Sequence, residues 1–114
     1  MRVLLDECVP RPLKREFAGF DVAHVTELGW AGRRNGVLLA SMRDEGFGTL
    51  VTVDRNLQFQ QNIPAADMIV VVLYAPTNRI PDLRQLMPGV RDILATAKPG
   101  TVYRVGVWPE ANSV

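Results

Sequence analysis

The chain offers little thiol or imidazole chemistry: Cys8 is the one cysteine and His24 the one histidine in 114 residues. A lone cysteine excludes a disulfide framework, and with no second cysteine or histidine beside it there is neither a zinc site nor a paired nucleophile. Cys8 is therefore expected to be a small buried filler in a reducing compartment. Lysine is scarce as well, since Lys14 and Lys98 are the only two among 13 basic residues and the rest are arginine. Arginine suits forked phosphate contacts, but a genome rich in G and C gives the same bias with no function attached. Twelve acidic residues leave a net charge of +1. No global field then draws the protein to nucleic acid, and any phosphate-binding surface must be local. No apolar run is long enough to cross a bilayer and no h-region follows Met1, so a cytoplasmic protein without a membrane partner is expected. A Gly-rich phosphate loop is also missing after the first apolar run. That argues against a small phosphatase or nucleotide-binding domain.

What is present is a 47% hydrophobic chain of one-domain size, residues 1–114, with 108–114 as a loose tail. Short apolar runs alternate with helical periods, which points to an α/β fold with a mainly parallel sheet of about five strands. Val3 to Leu5 reads as the first strand. Val9-Pro10-Arg11-Pro12 starts a helix with Leu13 and Phe17 inward and Gly19 at its end, and Asp21 to Val25 is the second strand, with Val and Ala inward. A glycine-rich loop from Thr26 leads to Asn35 as N-cap of a helix buried through Leu38, Leu39 and Met42. Trp30 in that loop is a lid over a crevice, part of a partner surface, or packed on the domain's own core. Thr49 to Val53 is the third strand, a short polar helix or turn follows, and Pro64 closes that segment. Met68 to Leu73 lacks alternation and suits a strand covered on both faces. Pro81 to Ala95 keeps a 3.6-residue period interrupted by Pro88-Gly89, predicting two short helices or one sharply kinked one. Val102 to Val107 alternates as an edge strand with one solvated face that, with Trp108, could serve a homodimer.

The first and third strands each finish on a carboxylate, Asp6-Glu7 and Asp54. In an open parallel sheet, ligands lie just outside the carboxyl ends of the strands where the connection direction reverses. If these strands are neighbours, Asp6 and Asp54 face one crevice. Gathered carboxylates repel, and a hard divalent cation such as Mg2+ or Mn2+ relieves that repulsion through oxygen ligands. Asp6 and Asp54 would hold the metal, and Glu7 could help only where the chain has turned out of the strand. Such an ion polarises a phosphodiester and lowers the pKa of a bound water. The bland alternative is that Asp54 is only a turn former ahead of Arg55-Asn56. Arg11, Arg33, Arg34 and Arg55 fall on or near the same edge, to hold a phosphate chain, to neutralise the acids, or simply to lie solvated.

The runs Leu4-Leu5-Asp6-Glu7-Cys8-Val9-Pro10, Glu27-Leu28-Gly29-Trp30-Ala31-Gly32 and Leu50-Val51-Thr52-Val53-Asp54-Arg55-Asn56 resemble, in that order, three motifs of the compact PIN-like proteins related to VapC-type toxins. The resemblance covers residues 1 to about 94. It implies a three-layer α/β/α fold and a magnesium- or manganese-dependent ribonuclease, commonly the toxin of a toxin–antitoxin pair neutralised by a small antitoxin protein. Asp6, Asp54 and Glu7 would then be catalytic, Asn35, Arg55 and Asn56 supporting, and RNA the substrate. The chain departs from the family where Asn35 and Gly36 stand in place of acids, and where Asp54-Arg55-Asn56-Leu57 replaces Asp-Arg-Asp-Phe. Asparagine still offers a carbonyl oxygen but not the charge. A one-metal site is therefore expected rather than two, with a catalytically weakened domain that binds RNA or a protein partner as the alternative.

Overall fold

A computed structural model describes residues 2–106. The expected tail at 108–114, and with it Trp108 and Val107, lies outside the described residues. Five strands form one sheet: β1 (Arg2–Leu5), β2 (Asp21–His24), β3 (Thr49–Thr52), β4 (Ile69–Tyr74) and β5 (Thr101–Gly106). Every pairing is parallel and the order is β2-β1-β3-β4-β5. The chain steps outward from β1 to β2 and then back across β1 to β3. The direction of winding therefore reverses between β1 and β3, the two strands that end on Asp6 and Asp54.

Successive side chains of a strand point to opposite faces, and this sheet is covered on both. Val3, Leu5, Val51, Val71 and Leu73 pack with Leu13, Phe17, Leu83, Met87 and Val90 in one cluster. Leu4, Leu50, Val70 and Val72 pack with Leu38, Met42, Leu57 and Ile63 in the other. The first layer is a 3-10 helix (Arg11–Glu16) with α4 (Ile80–Arg84) and α5 (Met87–Thr96). The second is α1 (Asn35–Asp44), α2 (Leu57–Gln60) and α3 (Ile63–Ala66). The result is a three-layer α/β/α arrangement. Each fully buried Leu, Val or Phe contributes roughly 1.5–3 kcal/mol relative to exposure, and the unalternating run in β4 is buried at every residue because both layers meet on it.

Several sequence expectations need correction. The segment after Pro10 takes the tighter 3-10 form, though Leu13 and Phe17 are buried as expected. Val22 packs into one cluster while Ala23 rests against the other, as adjacent strand residues must. The N-cap of α1 is Arg34, extended and without a side-chain cap bond, and Asn35 is the first helical residue. The loop before it contains a second 3-10 helix, Val25–Leu28, closed by a capping box in which Thr26 N–H donates to the His24 ring and Glu27 accepts from His24 N–H. Pro64 opens α3 instead of closing a segment, with Asn62 accepting from Ala65 N–H as its cap. In β5, Val102 packs on one face and Tyr103 and Val105 on the other, so neither face is wholly solvated. The helical stretch from Pro81 does divide in two, because α5 restarts with Pro88 in its first turn, where a missing N–H costs little.

Candidate active site

β1 ends at Leu5, which pairs with Val51, and Asp6 N–H continues the ladder by donating to Val51 O at 3.0 Å. This holds Asp6 level with the end of β3. Its carboxylate is buried, 7% exposed, and both oxygens are occupied: Oδ1 accepts from Glu7 N–H at 2.8 Å and Oδ2 from the Thr52 hydroxyl at 2.7 Å. Thr52 Oγ1 in turn accepts from Asp54 N–H at 3.0 Å. One fully buried hydroxyl thus ties the aspartates of two neighbouring strands together. Asp54 Oδ1 accepts from Asn56 N–H at 2.9 Å, the closed Asx turn that the bland alternative describes. Oδ2 of Asp54 takes no bond among the described residues.

Cys8 joins the same knot, with Sγ 3.5 Å from Thr52 Oγ1. Because the single hydroxyl proton of Thr52 goes to Asp6, the thiol is the donor in this contact. Burial pushes the Cys8 thiol up from its ordinary pKa, and the charge of Asp6 adds to the shift. Cys8 is therefore a protonated donor at neutral pH, and it is half-buried where a buried filler was expected.

The other expected residues separate. Glu7 has turned out of the strand, and both its oxygens accept from Gly32 N–H at 3.1 and 3.3 Å, fastening the Gly29–Arg34 loop to the end of β1. Trp30 takes the core alternative: it is 8% exposed and packs edge-on against Phe47. Asn35 reaches Gln60 at 3.4 Å, joining α1 to α2. Arg33 stacks over Trp30 and donates to Ser41, so it braces α1. Arg55 lies over the Tyr74 ring with its guanidinium carbon 4.3 Å from the centroid. Neither Asp6 nor Asp54 pairs with a basic side chain among the described residues.

Three neighbours of these residues escaped the sequence reading. Thr52 was legible in principle, because Leu50 and Thr52 share a strand face and Thr52 falls level with Asp6. Asn78 and Arg79 were not, since they arrive on the loop after β4. There Asn78 donates to Cys8 O at 3.3 Å, and Asn78 and Arg79 line a cavity of about 560 Å3 with Glu7 and Cys8.

Hard divalent cations keep several waters and are held through one or two carboxylates. Asp6, with spare lone pairs on both oxygens, and Asp54, with Oδ2 unbonded among the described residues, fit that donor set. No group of three or more His, Cys, Asp or Glu side chains gathers to hold a metal among the described residues. No family model matches this chain, and neither a curated protein nor a solved structure matches it.

Proposed function

We propose that the chain is a PIN-like, metal-dependent ribonuclease working at the Asp6–Asp54 crevice with Mg2+ or Mn2+, and that it acts in the cytoplasm as a toxin neutralised by an antitoxin protein. The observation that carries this is the Asp6–Thr52–Asp54 link at the winding reversal: one hydroxyl ties the buried Asp6 carboxylate to the backbone N–H of Asp54, and neither aspartate has a basic partner among the described residues. When bound, the ion would supply charge stabilisation at a scissile phosphate and a water of lowered pKa. The chain's own residues do the positioning. Glu7 N–H and Thr52 hydroxyl fix the Asp6 carboxylate in one orientation, so no rotamer entropy is lost when a cation or substrate arrives. The Asx turn sets Asp54, and stacking on Tyr74 holds the Arg55 guanidinium with its N–H fork open to a phosphate oxygen.

The test is cleavage of a single-stranded RNA by purified protein with manganese. Asp6→Ala and Asp54→Ala should each lower the rate by more than about 100-fold, the upper end for loss of even an outer-shell partner of a metal. Cleavage that survives both substitutions refutes the assignment. The alternative, a catalytically silent domain that binds RNA or a protein through the same crevice, is favoured by the shortage of acidic ligands. Calorimetry that shows no divalent-ion binding beside intact partner binding selects it.

A further inference from the structure

A second concavity lies alongside β2. It has a volume of about 840 Å3 and is bounded by the first 3-10 helix, the turn at residues 17–20, Val22 of β2 and Glu27. Three of its residues, Arg11, Lys14 and Arg15, are cationic and come from that one 3-10 helix. Among the described residues one carboxylate, Glu27, lines the groove with them, and it is already engaged by Lys14 at 3.0 Å and by His24 N–H at 2.8 Å. Arg11 and Arg15 form no ion pair among the described residues. The floor is apolar, built from Phe17, Phe20 and Val22.

The groove runs along a strand that has a neighbour on one side only, since β2 pairs with β1 and stands at the end of the sheet order. Apart from the His24 N–H, which Glu27 takes, its outer backbone groups form a template for one more strand. Asp21, the strand's own carboxylate, is held by Arg2 at 3.3 Å and does not cancel the cations. We infer that this groove docks an extended, acidic segment of a partner protein, which adds as a strand to the free edge of β2 with its carboxylates on Arg11 and Arg15 and an apolar side chain on Phe20 and Val22. Strand addition takes affinity from main-chain hydrogen bonds and specificity from alternate side chains, and the groove presents one site for each. A second copy of this chain is a poor occupant, because two-fold pairing through β2 would set like cations against each other. Single-stranded nucleic acid is a poorer fit, because successive bases stack on a row of exposed aromatic faces and here Phe17 is buried and Phe20 half-buried.

The inference does not depend on the nuclease proposal and is tested without metal. A fluorescein-labelled six-residue peptide alternating Glu and Val is titrated by anisotropy in EDTA, against a Gln–Val peptide and a single-stranded RNA of matched charge. The Glu–Val peptide should bind at least about tenfold tighter than the Gln–Val peptide, and Arg11→Glu with Arg15→Glu should remove that advantage. On the wild-type chain, hydrogen exchange at Asp21–Ala23 should slow when the peptide is bound, a readout that stands even where the charge reversal fails to fold. Equal binding of the two peptides, unchanged exchange in β2, protection of the same strand by the RNA, or a concentration-dependent dimer that covers β2 would each overturn it.

Discussion

Two threonines three positions apart on β3 give opposite predictions for the same substitution. Thr49 and Thr52 are both fully buried in one central strand. Thr52 donates to a buried carboxylate and accepts a backbone N–H, whereas the Thr49 hydroxyl has no partner among the described residues. Valine replaces either with nearly the same shape and the same β-branching, so propensity cancels between the two variants. A hydrogen bond to a charged group is worth about 1.5–3 kcal/mol, and a buried group left unpaired adds a desolvation penalty. Thr52→Val, which strands both Asp6 Oδ2 and the Asp54 N–H, should therefore cost about 2–4 kcal/mol. An unfolding entropy of about 2.1 cal/mol/K per residue makes each kcal/mol about 4 °C for a chain of this length, a fall of about 8–16 °C. Thr49→Val removes a hydroxyl that was dehydrated without compensation, and should leave the melting temperature unchanged or raise it by up to about 4 °C. Calorimetric melts of the two variants, with urea curves to confirm an unchanged m-value, decide the matter. A Thr52→Val protein as stable as wild type, or a Thr49→Val protein that falls as far, would refute the hydrogen-bond reasoning.

Other outcomes follow from single contacts. Glu27 is held below the usual carboxylate pKa by the His24 N–H, with Lys14 and Arg11 adding to it. A depressed folded pKa means stability that is present above the ordinary value near 4.3 and lost as pH falls through the folded one. Glu27→Gln should thus cost under about 1 kcal/mol at pH 7 and flatten the acid limb of the stability–pH curve, as urea midpoints between pH 7 and pH 3 would show. Glu7→Ala should speed amide exchange at Gly32 selectively, because that N–H loses its acceptor; protection equal to wild type would mean the loop is held by Trp30 alone. Gly106 has φ of 115°, and an added Cβ would strike the Tyr74 carbonyl. Gly106→Ala should therefore destabilise by more than about 1 kcal/mol, measured by urea unfolding.

The layers and strands were legible because burial on two faces forces apolar runs such as Met68–Leu73, and because Leu13, Phe17, Leu38 and Met42 keep helical spacing. The turn chemistry was less so. Asn35 carries a cap-like side chain, yet the chain enters α1 one residue earlier and that side chain goes to Gln60, a partner 25 residues away that no local pattern announces. The neighbourhood of Asp6 and Asp54 was foreseeable from strand ends in a parallel sheet. The groups that join and surround them were not, since Thr52 looked like strand filler and Asn78 arrives from a loop whose path depends on where β4 stops. The arginines assigned to one edge by sequence take aromatic partners there that no local pattern announces, Arg33 stacking on Trp30 and Arg55 on Tyr74.

The wholly parallel sheet also bears on how the molecule comes into being. Without hairpins, no two adjacent strands can zip locally: Arg2 must find Asp21, Ile69 must find Thr101, and Val3 must wait for Thr49. During translation β1 precedes the other four strands but lies inside the sheet, and its second neighbour is made only after β2 and α1. Refolding should accordingly be slow for a domain of this size, and the nascent chain must keep a bare, sticky ribbon out of trouble until β3 arrives.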